Sequence, residues 1–450
     1  MNKLLSFGTD GIRAHADGFP FTLKALAALG GAIAQWATEK YEKSSPGVLI
    51  GHDTRISCQR IKNELIAGLE ELPLDIVDGQ LLPTPSVYQL IRDKNRFDFG
   101  IVISASHNPY YDNGIKIFDA QMSKLGRQDE EVIEAYFRSW YEQEEAQDGS
   151  SKRPVEKWED ARKVYQEKIL AYFPENFLTG IKIVLDCANG ATSRIAPELF
   201  TLLGAEVIAI ANHPTGININ EKCGATHPES LQAKVIDVQA QIGFAFDGDG
   251  DRLMVVSQRG IIKNGDDILF LLLSLPEYSE TTAIVGTVMS NQGLDQALSA
   301  VHKKLIRTKV GDKYVAQALR ANKLSLGGEV SGHVIIQEYM PTSDGIFVAL
   351  KVLEAVIVHN NWELNTFDAY PQVLINIPVA CKKEISGPPL SIIIADYEQK
   401  LPTGRVLVRY SGTENLLRVM VEAKSYHLAH ITAQALAQEL QQALASSCGT

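Results

Sequence analysis

The stretch IGFAFDGDGDR (242–252) runs from an unbroken apolar segment into three aspartates that alternate with glycine and end on an arginine. A run with no polar face predicts a strand covered on both sides, as in a parallel sheet flanked by helices. Such sheets bind ligands beyond the carboxyl ends of their strands. Asp247, Asp249 and Asp251 stand at that end. Carboxylates so close in sequence repel one another unless a hard cation lies between them. The intervening glycines let the backbone curl so that alternate side chains converge. The twelve-residue spacing and closing glutamate of an EF-hand are absent. The three aspartates are therefore expected to hold a metal, with Arg252 beside them to meet an anion's oxygen or restrain a carboxylate.

Outward from this stretch the same grammar recurs. VLIGHD (48–53), FGIVISAS (99–106), IKIVLDCANG (181–190), AEVIAI (205–210), AIVGTVMSN (283–291) and KLIRTKVGD (304–312) read as strands, most ending in Gly, Asp, Asn or Ser. Helical patterns fall between them at 22–41, 129–147, 192–203 and 343–359. Strands alternating with helices predict an α/β protein built of doubly wound units with mostly parallel sheets. The polar stretch QDGSSKRP (147–154) separates a first unit from a second, and the strand pair LMVVSQRGIIK (253–263) is expected to open a third. The tail has strands near 373–380, 405–410 and 417–423 and a helix over about 427–446, an α+β pattern. The expected units are 1–152, 153–252, 253–366 and 367–450, three alike in style and one different.

The bulk composition excludes several classes. With 450 residues, 45% hydrophobic and 22% charged, the chain has an ordinary globular balance. A formal net charge of −11 argues against non-specific nucleic-acid binding and leaves room for a local basic pocket. No run reaches the ~18 apolar residues of a membrane span, and ILFLLLSL (268–275) is short enough to be a buried helix. The opening MNKLLSFGTDGIR fits no signal peptide. Cys58, Cys187, Cys223, Cys381 and Cys448 show neither zinc nor redox spacing, and a reduced cytoplasm is expected.

Further polar motifs sit at strand ends. In SASHNP (104–109), Ser106 lies among small residues and is a candidate phosphoryl acceptor and donor, with His107 to orient it and Lys116 to neutralise phosphate or move a proton. LGGEVSGHVII (326–336) places Glu329, Ser331 and His333 alternately on entry to a strand, hence on one side, where they suit sugar hydroxyls and proton transfer. RYSGTENLLR (409–418) brackets Ser411, Gly412 and Thr413 with Arg409 and Arg418, a phosphate cradle without the ending of a P-loop. FGTDGIR (7–13) supplies Arg13, and TKVGDKYV (308–315) brings Lys309 and Asp312 to a strand end. GHDTRIS (51–57) reads as a helix cap.

In this order the motifs resemble those of the α-D-phosphohexomutase superfamily, over nearly the whole chain. FGTDGIR, SASHNPYYDNGIKIF, LDCANGAT, GININEKCGATHPE, TKVGDKYV and RYSGTENLLRVMVE carry the resemblance, most closely to the branch acting on an amino sugar. The resemblance implies that Ser106 is the active phosphoserine, and that Asp247, Asp249 and Asp251 bind Mg²⁺ together with an oxygen on Ser106. Glu329 and Ser331 would hold sugar hydroxyls. Arg409, Ser411, Gly412, Thr413 and Arg418 would grip the non-reacting phosphate. Arg13, Lys116, Arg252, Lys309 and His333 would line the centre as phosphate contacts or acid/base groups. It further implies interconversion of glucosamine 6-phosphate and 1-phosphate through a sugar 1,6-bisphosphate, which also serves as activator, feeding amino-sugar nucleotides and the cell wall. A homodimer, and phosphorylation by a kinase or by the protein itself, are implied in the same way. Ala14, His52 and Cys58 depart from the expected residues, and Val330 fills a slot that is often polar and bears on sugar choice. A phosphomannomutase or phosphoglucomutase would share every chemical residue. A Mg²⁺-dependent phosphatase would lack need of the distal cradle, and a silent sugar-phosphate sensor would not need Ser106.

Overall fold

The computed structural model describes residues 5–8, 10–92, 96–120, 123–143, 155–380, 382–411 and 415–446. The first sheet holds β1 (Ile12–His15), β2 (Gly47–His52), β3 (Asp75–Leu81), β4 (Phe99–Ile103), β5 (Asp112–Asp119), β6 (Ser123–Lys124) and β7 (Glu156–Lys157). Its order is β1-β5-β4-β2-β3-β7, with β6 on β5. The second holds β8 (Lys182–Asp186), β9 (Glu206–Ile210), β10 (Ile242–Phe246), β11 (Leu253–Ser257) and β12 (Ile262–Lys263), in the order β12-β11-β10-β8-β9. The third holds β13 (Ala283–Thr287), β14 (Lys304–Thr308), β15 (Leu326–Gly328) and β16 (Val334–Ile336), in the order β14-β13-β15-β16. The fourth holds β17 (Gln372–Pro378), β18 (Arg405–Tyr410) and β19 (Leu416–Glu422), wholly antiparallel in the order β17-β19-β18.

The central strands are parallel, and β2, β4, β10 and β13 are buried almost throughout, which is what unbroken apolar runs require. Each expected strand ends before its polar tail. β4 stops at Ile103, β10 at Phe246 and β13 at Thr287, so the Ser, Asp and Asn residues read as strand ends are turns. The expected helices are present at Leu23–Tyr41, Arg127–Glu142, Thr192–Leu202, Gly345–His359 and Tyr426–Ser446, and ILFLLLSL supplies the buried helix Gly265–Leu272. Units one to three share a large apolar core running from Leu49 to Leu364, whereas the last unit packs its own core between its sheet and the helices Leu390–Lys400 and Tyr426–Ser446.

One expectation about these units is corrected. The pair 253–263 does not open the third unit, because β11 lies antiparallel on β10 in five-residue register and β12 on β11, extending the second sheet. The chain turns back at 247–252 faster than it can cross to a new sheet. The first sheet also reaches past 152, since β7 pairs with β3; QDGSSKRP itself lies outside the described residues.

One topological element repeats in every unit. A strand is followed directly by an antiparallel neighbour: β4 by β5, β10 by β11, β15 by β16 and β18 by β19. The first three links between them carry SASHNP, DGDGDR and GEVSGH, and the fourth spans 411–415, of which 412–414 lie outside the described residues.

Candidate active site

Ser106 is fully buried and sits in the left-handed region at φ 52°, a conformation that a non-glycine residue holds only when its surroundings enforce it. Its Oγ donates to Asp247 Oδ2 at 2.6 Å, and His107 Nδ1 lies 3.3 Å from the same oxygen. The serine turn and the aspartate turn therefore meet across two units. Their backbones also touch: a Cβ on Gly248 would lie 2.6 Å from the Ser106 carbonyl oxygen, and one on Gly190 2.3 Å from that of Gly248. Only glycine permits that stacking.

The three aspartates converge, each offering a carboxylate oxygen within 4.8 Å of the others, all buried. Asp247 Oδ1 accepts the backbone N–H groups of Asp251 and Arg252, both at 3.1 Å, which closes the turn. Asp249 Oδ2 accepts from Thr84 Oγ1 at 2.6 Å and from Lys116 Nζ at 2.8 Å. Lys116 Nζ also lies 3.2 Å from Asp251 Oδ2 and 3.1 Å from Asp10 Oδ2. Burial, with Asp251 and Asp249 alongside, pushes the Asp247 carboxyl well above its ordinary range. Burial pushes Asp251 up as well, but the Lys116 ammonium and His333 override it and hold it well below. Asp249 Oδ1 and Asp251 Oδ1 are buried with no hydrogen-bond partner. Three converging carboxylates with two orphaned oxygens fit a hard, oxygen-seeking cation.

Around this centre lies a cavity of about 570 Å³ whose wall includes Arg13, His107, Arg252, Glu329, Ser331 and His333, large enough for a small phosphorylated ligand. Arg13 pairs with Asp10 and donates to Asn108 Oδ1 at 3.4 Å. Burial, then Arg252 and Arg13, brings His107 down to about 4, so its ring is neutral near pH 7. Glu329, Ser331 and His333 do not enter a strand as expected. They form the turn between β15 and β16, and Glu329 Oε1 accepts the Gly311 N–H at 2.9 Å. All three still face the cavity. His333 lies 3.7 Å from Asp251 through Nδ1 and 3.6 Å from Asp312 through Nε2, with Nε2 buried and unbonded.

Lys309 is not brought in. It is exposed at the end of the edge strand β14, and the backbone after it, Val310 to Asp312, lines the cavity instead. Sequence reasoning passed over Lys124, which bridges Asp10 of the first unit to Asp312 of the third. It passed over Thr84 as well. GHDTRIS caps nothing: Ser57 precedes the helix Cys58–Leu69 without a side-chain cap bond, while Asp53 and Arg55 form a buried pair at 2.9 Å. Cys58 donates to Asp53, and His52 Nδ1 lies 2.7 Å from the Asp53 carbonyl oxygen. Cys58, Cys187 and Cys223 are free and buried; Cys381 and Cys448 lie outside the described residues.

Arg409 and Arg418 are cross-strand partners on β18 and β19, and neither lines the cavity. Burial and the neighbouring Arg418 lower the Arg409 guanidinium. Like charges directly opposite destabilise a sheet, and an anion between them would relieve it. Ser411 is buried, and its carbonyl accepts Lys382 Nζ at 3.0 Å, a further cation near the arginine pair. Gly412 and Thr413 lie outside the described residues.

The whole arrangement has relatives. Four family models described as phosphoglucomutase/phosphomannomutase match in succession: alpha/beta/alpha domain I at 4–144, domain II at 163–260, domain III at 264–367 and the C-terminal domain at 374–439. The phosphoglucosamine mutase of Haemophilus influenzae (strain PittEE) is 43% identical over 446 residues, 97% of this chain and 98% of that protein. The chain belongs to the phosphoglucosamine mutase family. Within the wider phosphohexomutase fold, a phosphoglucomutase/phosphomannomutase family protein from Burkholderia thailandensis superposes with a TM-score of 0.77 at 24% identity, covering 97% of each chain. The N-acetylphosphoglucosamine mutase of Aspergillus fumigatus, solved with GlcNAc-6P and magnesium, gives 0.68 at 18% identity, covering 98% of this chain and 96% of that one. Among the described residues no helix is long and apolar enough to cross a membrane.

Proposed function

We propose that this chain interconverts glucosamine 6-phosphate and glucosamine 1-phosphate by way of a phosphorylated Ser106. The carrying observation is the 2.6 Å bond from Ser106 Oγ to Asp247 Oδ2, which sets a buried hydroxyl against a carboxylate cluster fit for a cation. Phosphorylated Ser106 gives its phosphoryl group to the sugar's 1-hydroxyl: the bond from phosphorus to Oγ breaks as that to the sugar oxygen forms. The 1,6-bisphosphate turns end for end, and Ser106 takes the group from the 6-position. Mg²⁺, held by Asp247, Asp249, Asp251 and an oxygen on Ser106, would supply charge neutralisation at the transferring group.

The protein's own groups do the rest. Arg13 and Arg252 meet the reacting phosphate, and Glu329 and Ser331 take sugar hydroxyls across the cavity. Lys116 keeps its proton: burial lowers its affinity, but Asp10, Asp249 and Asp251 together raise it well above the ordinary lysine value. His333 lines the same cavity and is likewise a proton holder: burial lowers its affinity, but Asp251 and then Asp312 raise it above the ordinary histidine value. The pair Arg409 and Arg418, with Ser411, Gly412 and Thr413, grips the far phosphate. That role requires the fourth unit to swing toward the cavity and shut out water, since hydrolysis of the bisphosphate would waste it. Lys309 belongs to this reading only if that movement draws it inward. A bisphosphate activator, initial phosphorylation by a kinase or by the protein itself, a homodimer and a cytoplasmic setting complete the reading.

The test is turnover of glucosamine 6-phosphate against glucose and mannose 6-phosphates, primed with a hexose 1,6-bisphosphate, with intact mass followed before and after phosphatase treatment. A preference for the neutral sugars would overturn the substrate, and absence of a labile phosphate on Ser106 would overturn the route.

A further inference from the structure

The buried guanidinium of Arg55 has no place in the chemistry above, yet it is among the most heavily engaged side chains around the nucleophile. Its Nη2 donates to the carbonyl oxygens of Ser106 at 2.9 Å and Asn108 at 2.8 Å. Its Nη1 donates to Asp112 O at 3.1 Å and to Pro109 O. Nε is tied to Asp53 Oδ2 at 2.9 Å, with both side chains at 0% exposure. The preceding peptide of the same residue is held through that carboxylate: Ser104 Oγ donates to Asp53 Oδ2 at 2.6 Å and accepts the Ser106 N–H at 2.9 Å. From the second unit, Asn220 Nδ2 donates to Ser106 O at 2.9 Å and Asn108 O at 3.0 Å. A planar fork with five donors is the side chain that can satisfy several carbonyls at once; an ammonium is a point.

We propose that Arg55 is the positioning residue of the nucleophile. Its fork, braced by Asp53 and assisted by Asn220, holds the serine turn in its left-handed conformation so that Ser106 Oγ is aimed at the carboxylate cluster and at an incoming phosphorus. The proposal rests on the reading of Ser106 as phosphoryl carrier. It assigns Arg55 no contact with substrate, so its loss appears in the rate of phosphoryl transfer and not in sugar binding. A displacement of about 1 Å in a reacting atom lowers rates by roughly 10²-fold.

The experiment follows phosphorylation of the dephosphorylated protein by glucose 1,6-bisphosphate, read by intact mass, together with kcat and KM for glucosamine 6-phosphate. Arg55→Lys and Arg55→Met are expected to lose about 10²-fold in both the phosphorylation rate and kcat, with KM within about twofold of the parent and no rescue by the lysine. An unchanged phosphorylation rate, or a loss confined to KM, overturns the proposal. Should neither variant accumulate as folded protein, Asn220→Ala decides: a phosphorylation rate lowered about tenfold with KM unmoved supports the brace, and the parent's rate overturns it. Ser106→Ala is run alongside. If it still takes up a phosphoryl group and turns over sugar, the reading of Ser106 itself falls; if it is inert while both Arg55 variants behave as the parent, only the role of Arg55 falls.

Discussion

The serine turn and the arginine pair both belong to a strand and its antiparallel successor, and they are built to opposite rules. Around Ser106 the peptides on both sides are held by buried side chains, and its hydroxyl is held across a unit boundary by Asp247. At Arg409 and Arg418 two cations face each other on a small sheet with its own core. The first arrangement is finished when the chain folds. The second sets like charges opposite each other on adjacent strands, an arrangement that an anion would stabilise. A turn fixed in advance suits a place where orientation governs rate, whereas a like-charged pair suits a place where an anion is held.

Substitutions at the two places should separate accordingly. The largest effect is expected from Ser106→Ala, which should cost mutase turnover about 10⁴-fold or more, measured as glucosamine 1-phosphate formed; near-parental activity would erase the distinction between the two turns. Next, Asp249→Asn, or chelation of divalent cations from the parent, should lower kcat by about 10²–10³-fold, and added Mg²⁺ should restore the chelated protein alone. At the other turn, Arg409→Ala removes one charge-assisted contact and should raise KM about 10–100-fold. Its melting temperature should hold or rise, because a like-charge pair is relieved; a fall in melting temperature with KM unchanged would mean that the pair is structural.

The smallest effects concern pH. His107 falls from 6.5 to about 4 on folding, by burial and then by Arg252 and Arg13. The unfolded chain binds the proton first, so this contribution is present above 6.5 and lost as pH falls toward 4. Asp266, which accepts the Asn291 N–H at 2.7 Å near the junction with the fourth unit, is pushed by burial from 3.8 up to about 6. Here the native state binds the proton first, so stability is lost as pH rises from about 4 through 6. In denaturant titrations His107→Gln should flatten the first slope and Asp266→Asn the second; identical profiles for both variants would show that neither group titrates as its surroundings dictate.

Much of this was legible in the sequence because apolar runs mark strands and their polar ends mark turns. Ser106, the aspartates, Glu329, Ser331 and His333 all sit at such ends, and they meet around one centre. What stayed hidden was held by backbone or by distance. Arg55 serves carbonyl groups more than fifty positions away, and a carbonyl carries no sequence signature. Lys124 matters because Asp10 and Asp312 arrive on either side of it from different units, while Lys309, in a more promising motif, is carried outward by an edge strand. The pair 253–263 was misplaced because an antiparallel return and the start of a new sheet share one alternation of apolar residues.

The bond between Ser106 and Asp247 spans 141 positions of chain. Ribosomes add roughly 5–20 residues per second and domains fold in order of emergence, so the first unit waits on the order of ten seconds for its acceptor. Throughout that interval the serine hydroxyl lacks the Asp247 carboxylate. The bond that joins the two units at Ser106 is therefore an event late in synthesis, and a chain truncated before residue 247 lacks it.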